Sequence, residues 1–163
     1  MTHGPIDSPA NRLPVILVVD DNQQNLELIQ AYLDDVDCQT FAAGDGVEAL
    51  ESVAAHKPDL ILLDVMMPKM SGFEVCRRLK SNPNTKDIPI IMVTALNEFG
   101  DIERGIDSGT DDFVSKPVNR LELLTRVKTM LKLKHLTDTL QRTVAYLSEV
   151  EKHAQATSSE PGE

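Results

Sequence analysis

The chain alternates between short runs that are apolar throughout and longer stretches whose apolar residues recur every three or four positions. Continuous apolar runs of roughly four to eight residues suit strands buried on both faces of a parallel sheet. They predict strands near 15–20, 38–42, 59–64, 88–94 and 111–115. The periodic stretches predict helices near 23–35, 46–56, 72–81, 98–108 and from 119 onward. Turn residues punctuate the joins at Asp45–Gly46, Lys57–Pro58, Ser71–Gly72, Asn82–Pro83 and Ser108–Gly109. Right-handed crossovers would lay about five such βα units into one parallel sheet with helices on both faces, an α/β doubly wound fold.

Four of the apolar runs stop at a polar, reactive residue. Val15–Val19 ends at Asp20–Asp21, Leu60–Leu63 at Asp64, Ile88–Val93 at Thr94, and Phe113–Ser115 at Lys116. The carboxyl ends of parallel strands share one edge, and that edge is where open α/β sheets bind ligands. Asp20, Asp21 and Asp64 offer the hard oxygens that Mg²⁺ (or Mn²⁺) prefers. A lone Asp at a strand end can equally be a turn former or a cap, and Asn22 reads as the cap of the first helix. A cation that neutralised the acids would make the edge hospitable to phosphate, where Lys116 supplies a point positive charge and Thr94 a hydroxyl donor. Asp64 is then the best candidate nucleophile toward phosphorus, since Met66–Met67–Pro68 after it brings backbone rather than further acids.

Composition narrows the setting. The 163 residues suit one domain of ordinary size with an extension. A net charge of −10 argues against nucleic acid as a direct partner and requires a cation at any phosphate-handling site. Cys38 and Cys76 fall in separate predicted elements and read as reduced packing thiols, which fits the cytoplasm. No run reaches the roughly 18 apolar residues of a membrane span, and Pro14–Val19 is too short for a signal-peptide core.

Three further regions differ from the α/β block of residues 13–128. Residues 1–12, with Gly4, Pro5 and Pro9, read as a flexible leader. Residues 118–163 hold seven basic and six acidic side chains, so the rest of the chain carries −11. From Asn119 to about Ala154 there is no Gly or Pro, and one helix can run the whole way. Leu121, Leu124, Val127 and Leu131 have the spacing of a face packed on the sheet. In the extension 129–154, Leu133, Leu140, Leu147 and Ala154 recur every seventh residue with Leu136, Thr143 and Val150 between them. That pattern fits a dimeric coiled coil; a solvated helix, or one folded back on its own domain, is the alternative. Residues 155–163 are polar and read as a disordered tail.

The motifs VILVVDDN, LILLDVMMPKMSGFEVCRRLK, IPIIMVTAL and GTDDFVSKPV, in this order and spacing from Val15 to Val127, resemble the receiver domain of two-component response regulators. The resemblance implies a flavodoxin-like, five-stranded parallel sheet of order 2-1-3-4-5 flanked by five helices, the last extended. It implies that Asp64 accepts a phosphoryl group from a sensor histidine kinase or histidine phosphotransfer protein, so that the chain is a phosphorylated signalling protein rather than an enzyme with its own substrate. Asp21, Asp64 and the Met66 backbone carbonyl would hold Mg²⁺, with Asp20 acting mainly through water. Lys116 would pair with the phosphoryl group, and the Lys116–Pro117 bond would be cis. Thr94 and Phe113 match a switch pair in which the hydroxyl moves to a phosphoryl oxygen and the ring turns into the space it leaves. Phe113 lacks the hydroxyl of a tyrosine, so packing would govern its rotation. Met66 and Leu96, which flank the path of attacking water in the family, are apolar here and imply a long-lived phosphoaspartate. Thr110, where the family usually has Ala, reads as a tolerated loop change.

Other classes fit less well. A haloacid-dehalogenase phosphatase needs a second Asp where Met66 stands, and neither GxGxxG nor GxxxxGK[ST] occurs for a nucleotide or flavin binder. A receiver that is not phosphorylated, kept as an interaction or dimerisation module, is the remaining alternative. The residues after Val127 are too few for a winged helix or a catalytic domain. The chain therefore reads either as a stand-alone receiver or as the receiver and linker helix of a longer regulator. The long tail resembles the signalling helices that join receivers to diguanylate cyclase, cyclic-di-GMP phosphodiesterase or kinase domains.

Overall fold

The computed structural model describes residues 12–95 and 99–158, at 99–101 and 158 for the backbone alone. The leader as far as residue 11, Leu96 and the last five residues lie outside the described residues. Five strands, β1 (Val15–Val19), β2 (Gln39–Ala43), β3 (Leu60–Asp64), β4 (Ile90–Thr94) and β5 (Asp112–Ser115), alternate with five helices. The helices are α1 (Gln23–Leu33), α2 (Gly46–His56), α3 (Gly72–Ser81), α4 (Phe99–Ser108) and α5 (Arg120–Ser158). All strands are parallel, in the order β2-β1-β3-β4-β5, as the resemblance implied.

The three central strands β1, β3 and β4 are buried at every residue. Their side chains divide by alternation between two cores. Leu17, Val19, Ile61, Leu63, Ile90 and Met92 face Ala49 and Val53 of α2 and Phe73, Cys76 and Leu79 of α3. Ile16, Val18, Leu60, Leu62, Ile91 and Val93 face Leu26, Ile29 and Leu33 of α1 and Leu123, Leu124 and Val127 of α5. Burying Leu60–Leu63 stabilises the fold by about 6–12 kcal/mol at most, at about 1.5–3 kcal/mol per side chain.

Local chemistry sets the element ends. Asn22, Asp45, Ser71 and Asn119 each accept a backbone N–H three residues on, at 3.2, 2.7, 3.3 and 3.0 Å, and so start α1, α2, α3 and α5. β4 begins at Ile90, two residues later than the apolar run suggested, because Pro89 has no N–H and Ile88 bonds back to the Thr85 carbonyl in a turn. Cys38 and Cys76 are both free thiols, raised above the ordinary cysteine range chiefly by burial. Thr110 donates to the Ile90 and Asp112 carbonyls, at 3.1 and 3.2 Å, which accounts for its fit where Ala would have no such bonds.

The face of α5 that packs on the sheet is Leu123, Leu124 and Val127, while Leu121 is 76% exposed. Positions six apart on a helix lie about 120° from each other, so Leu121 and Val127 cannot share a narrow contact face. Arg126 fastens the same stretch, its Nη1 donating to both carboxylate oxygens of Asp112 at 2.8 and 2.9 Å. The helix continues through Ser158, past Ala154 and into the polar stretch that composition assigned to the tail. Leu133, Leu136, Leu140, Leu147 and Val150 are all exposed, so this part of α5 does not fold back on its own domain. Among the described residues, no helix is long and apolar enough to cross a membrane.

Candidate functional site

Because β1, β3, β4 and β5 are parallel and in register, their last residues and the loops after them meet at one edge. Asp20 follows β1, is 1% exposed, and is fixed by its own N–H on the Ala43 carbonyl at 3.1 Å. Its Oδ1 accepts the Asn22 N–H at 2.9 Å, which turns the chain toward α1 and leaves Asp21 in solvent. Asp64, the last residue of β3, is 3% exposed. Oxygens of Asp20, Asp21 and Asp64 lie within 4.8 Å of one another.

Lys116 reaches the two buried acids from the loop after β5. Its Nζ donates to Asp64 Oδ1 at 3.1 Å and to Asp20 Oδ2 at 3.2 Å. The loop is held by the Lys116 N–H on the Thr94 carbonyl at 2.8 Å, and the Lys116–Pro117 bond is cis. Burial alone would lower the Lys116 ammonium; the hydrogen bonds and charges of Asp64 and Asp20 outweigh it and hold the group above its ordinary value. For Asp64, burial dominates and raises the carboxyl above the usual range, the Lys116 hydrogen bond pulls it down without cancelling that rise, and the Asp20 charge adds to it. Two buried carboxylates thus share one ammonium.

The remaining site candidates fall around this pair. Thr94 closes β4 and is 6% exposed. Phe113 pairs in register with Met92, two residues before Thr94, so the hydroxyl and the ring belong to the same face of adjacent strands. Met66, two residues after Asp64, is 66% exposed, and its backbone hydrogen-bonds the Asp64 carboxylate. Gly72 has a role that its reading as a turn residue did not reveal. A Cβ there would overlap the Asp64 carbonyl oxygen, and the Gly72 N–H bonds the Val65 carbonyl at 2.9 Å. The absence of a side chain lets the start of α3 lie against the backbone that carries Asp64. The signal in the sequence was a glycine directly after a Ser cap, eight residues beyond the acid.

The donor set suits a small hard cation: three carboxylates within one cluster, one of them open to solvent, with a backbone loop at its rim. Lys116 supplies the fixed positive charge that an incoming anion needs beside so many acids.

The comparisons agree with this architecture. The family model for the response regulator receiver domain matches residues 16–128. The response regulator PleD of Caulobacter vibrioides is 44% identical over 127 residues, which are 78% of this chain and 28% of that protein. The DNA-binding dual master transcriptional regulator RpaA of Synechocystis is 39% identical over 120 residues, 74% of this chain and 50% of that protein. The chain thus spans between about a quarter and a half of the length of these curated relatives. Among solved structures, the signal receiver domain of a signal transduction histidine kinase from Syntrophus aciditrophicus is 36% identical. It has a TM-score of 0.69, covering 73% of this chain and 90% of that one. The receiver domain of the sensor histidine kinase PA1611 from Pseudomonas aeruginosa, which has a magnesium ion coordinated in its active site cleft, is 30% identical. Its TM-score is 0.69, with coverage of 74% and 99%. Sheet order, strand-end acids and sequence match converge, and the chain belongs to the response regulator receiver domains of two-component signalling.

Proposed function

We propose that Asp64 is the phosphoacceptor of this receiver, taking a phosphoryl group from a sensor histidine kinase or a histidine phosphotransfer protein. The observation that carries the reading is the pairing of Lys116 with a buried Asp64 at the edge where Asp20 and Asp21 also gather. In the transfer, an Asp64 carboxylate oxygen bonds phosphorus as the phosphorus–nitrogen bond of phosphohistidine breaks, and the leaving imidazole takes up a proton. Lys116, now beside Asp64, follows the charge to a phosphoryl oxygen, and Thr94 offers its hydroxyl to another. Asp21, Asp64 and the Met66 carbonyl would hold Mg²⁺ (or Mn²⁺), with Asp20 acting through water; when bound, the ion neutralises negative charge on the transferring group.

The test is incubation with acetyl phosphate and Mg²⁺ followed by intact-mass measurement. A gain of one phosphoryl mass is expected, lost in excess chelator and in Asp64→Asn. No gain in the wild type sinks the reading and leaves a receiver that works through contacts alone.

The exposed stripe Leu133–Val150 on α5 supports a second element of the same function, pairing with another copy of this chain. Its apolar residues keep the three-and-four spacing of a two-stranded coiled coil, broken by Thr143, and each buried Leu would contribute about 1.5–3 kcal/mol. Light scattering with and without beryllofluoride, a phosphoryl mimic, is expected to find a dimer in at least one state. Leu140→Lys should convert it to monomer, and a wild-type monomer in both states ends the proposal.

A further inference from the structure

α4 contains a buried glycine in its interior, Gly105, where alanine would ordinarily make the helix about fivefold more stable against unfolding. No left-handed backbone angle requires glycine there. What requires it is the neighbour: a Cβ at residue 105 would stand 2.5 and 2.6 Å from Cζ and Cε1 of Phe113 and 3.5 Å from Sδ of Met92. The Phe113 ring lies in a seat made by the bare backbone of Gly105, with the fully buried Met92 beside it. α4 is itself tied to α3 through the Arg104 guanidinium, 4.7 Å over the Phe73 ring. An outward drift of the helix to admit a methyl would loosen that contact.

We propose that Gly105 is the latch of the switch: its missing side chain stabilises the seated rotamer of Phe113, and the depth of this seat sets how readily phosphorylation of Asp64 can release the ring. The inference rests on the phosphoacceptor reading of Asp64. The seat exists together with Lys116 bonded directly to the Asp64 carboxylate, and on the same sheet face Thr94 stands one alternation beyond Met92. If phosphorylation draws the Thr94 hydroxyl away, the ring has two places to lie, the seat and the space beside Thr94. A methyl at residue 105 removes the first and leaves the second untouched. The released state then needs less help from the phosphoryl group, and affinity for a phosphoryl mimic rises by the inverse of that state's former population.

The experiment compares wild type, Gly105→Ala, Phe113→Ala and the double variant. With 2-fluorophenylalanine incorporated, which keeps fluorine off the Cζ and Cε1 atoms that meet residue 105, each of the four phenylalanines gives its own fluorine signal, and that of Phe113 is identified by its loss in Phe113→Ala. In Gly105→Ala that signal should move toward its position in beryllofluoride-bound wild type. Beryllofluoride affinity should rise about five- to tenfold, the gain open to a state populated at roughly a tenth. The fivefold folding gain expected of Gly→Ala should be absent in the wild-type background and reappear in Phe113→Ala. An unmoved fluorine signal with the full folding gain overturns the seat. Should Gly105→Ala fail to fold, the double variant must fold; its failure means that the methyl meets backbone rather than the ring, and the proposal is wrong. Failure of wild type to bind beryllofluoride overturns the coupling to Asp64, whereas the fluorine and folding comparisons judge the seat independently of it.

Discussion

Asp64→Asn is expected to lose all phosphoryl uptake and yet to gain about 1 kcal/mol of stability at pH 7 in chelator, in the range typical of relieving an unfavourable functional site. Asp20 and Asp64 are both nearly fully buried and share the single ammonium of Lys116. Converting one of two like charges to an amide of the same shape ends their repulsion and the cost of dehydrating the second charge, while Lys116 keeps Asp20. The pH dependence has a definite sign. The Asp64 carboxyl is raised in the folded state, first by burial. The fold is therefore favoured fully below the unfolded carboxyl pKa, and that advantage is lost as pH rises through the higher folded value. Chemical denaturation at neutral pH and near pH 4 should accordingly show the gap between Asp64→Asn and wild type narrowing as the solution is acidified. A variant less stable than wild type at pH 7 would mean that the Lys116–Asp64 bond outweighs the crowding of charge.

Lys80→Met is expected to cost about 2–3 kcal/mol while leaving the phosphoryl site intact. Lys80 stands in the last turn of α3 with its side chain only 17% exposed. Its Nζ donates to the Lys86 carbonyl at 3.1 Å, the Ile88 carbonyl at 2.8 Å and Asp111 Oδ2 at 2.8 Å. The same Asp111 oxygen accepts the Ile90 N–H at 2.8 Å, the first residue of β4. One ammonium thus joins the end of α3, the entry to β4 and the residue before β5. Methionine fills the volume but leaves two carbonyls and a carboxylate to find water in a half-closed place. Urea denaturation measures the loss; a change under about 0.5 kcal/mol, the scatter of ordinary surface substitutions, would show Lys80 to be one of them.

The contrast between Lys80 and Lys116 explains what a linear reading of this chain can reach. Strands were legible because each central one is an unbroken apolar run, and parallel pairing then sends the residues that end them to one edge without further information. Lys116 was legible as a cation for that edge, but its two hydrogen bonds, one to Asp20 and one to Asp64, were not, since only side-chain geometry decides how many acceptors an ammonium reaches. Lys80 and Asp111 lie 31 positions apart, and each alone reads as a solvated charge. From the linear pattern Leu121 reads as a core position, because three-residue spacing to Leu124 and again to Val127 looks regular. The choice between it and Leu123 depends on where the Asn119 cap sets the phase of α5. Gly105 left a trace, a glycine inside a helical segment, yet nothing in the linear pattern names the ring that fills its place.

The unsupported length of α5 has a mechanical consequence. From Lys132 to Ser158 the helix extends roughly 40 Å at 1.5 Å per residue, while its root is clamped by Leu123, Leu124 and Val127 and by the Arg126–Asp112 bonds. A rigid arm of that reach converts a tilt of about 5° at the root into a sweep of roughly 3.5 Å at the tip, comparable to the distance over which an apolar contact is made or lost. Shifts too small to rearrange the sheet would therefore be magnified at the far end of the arm.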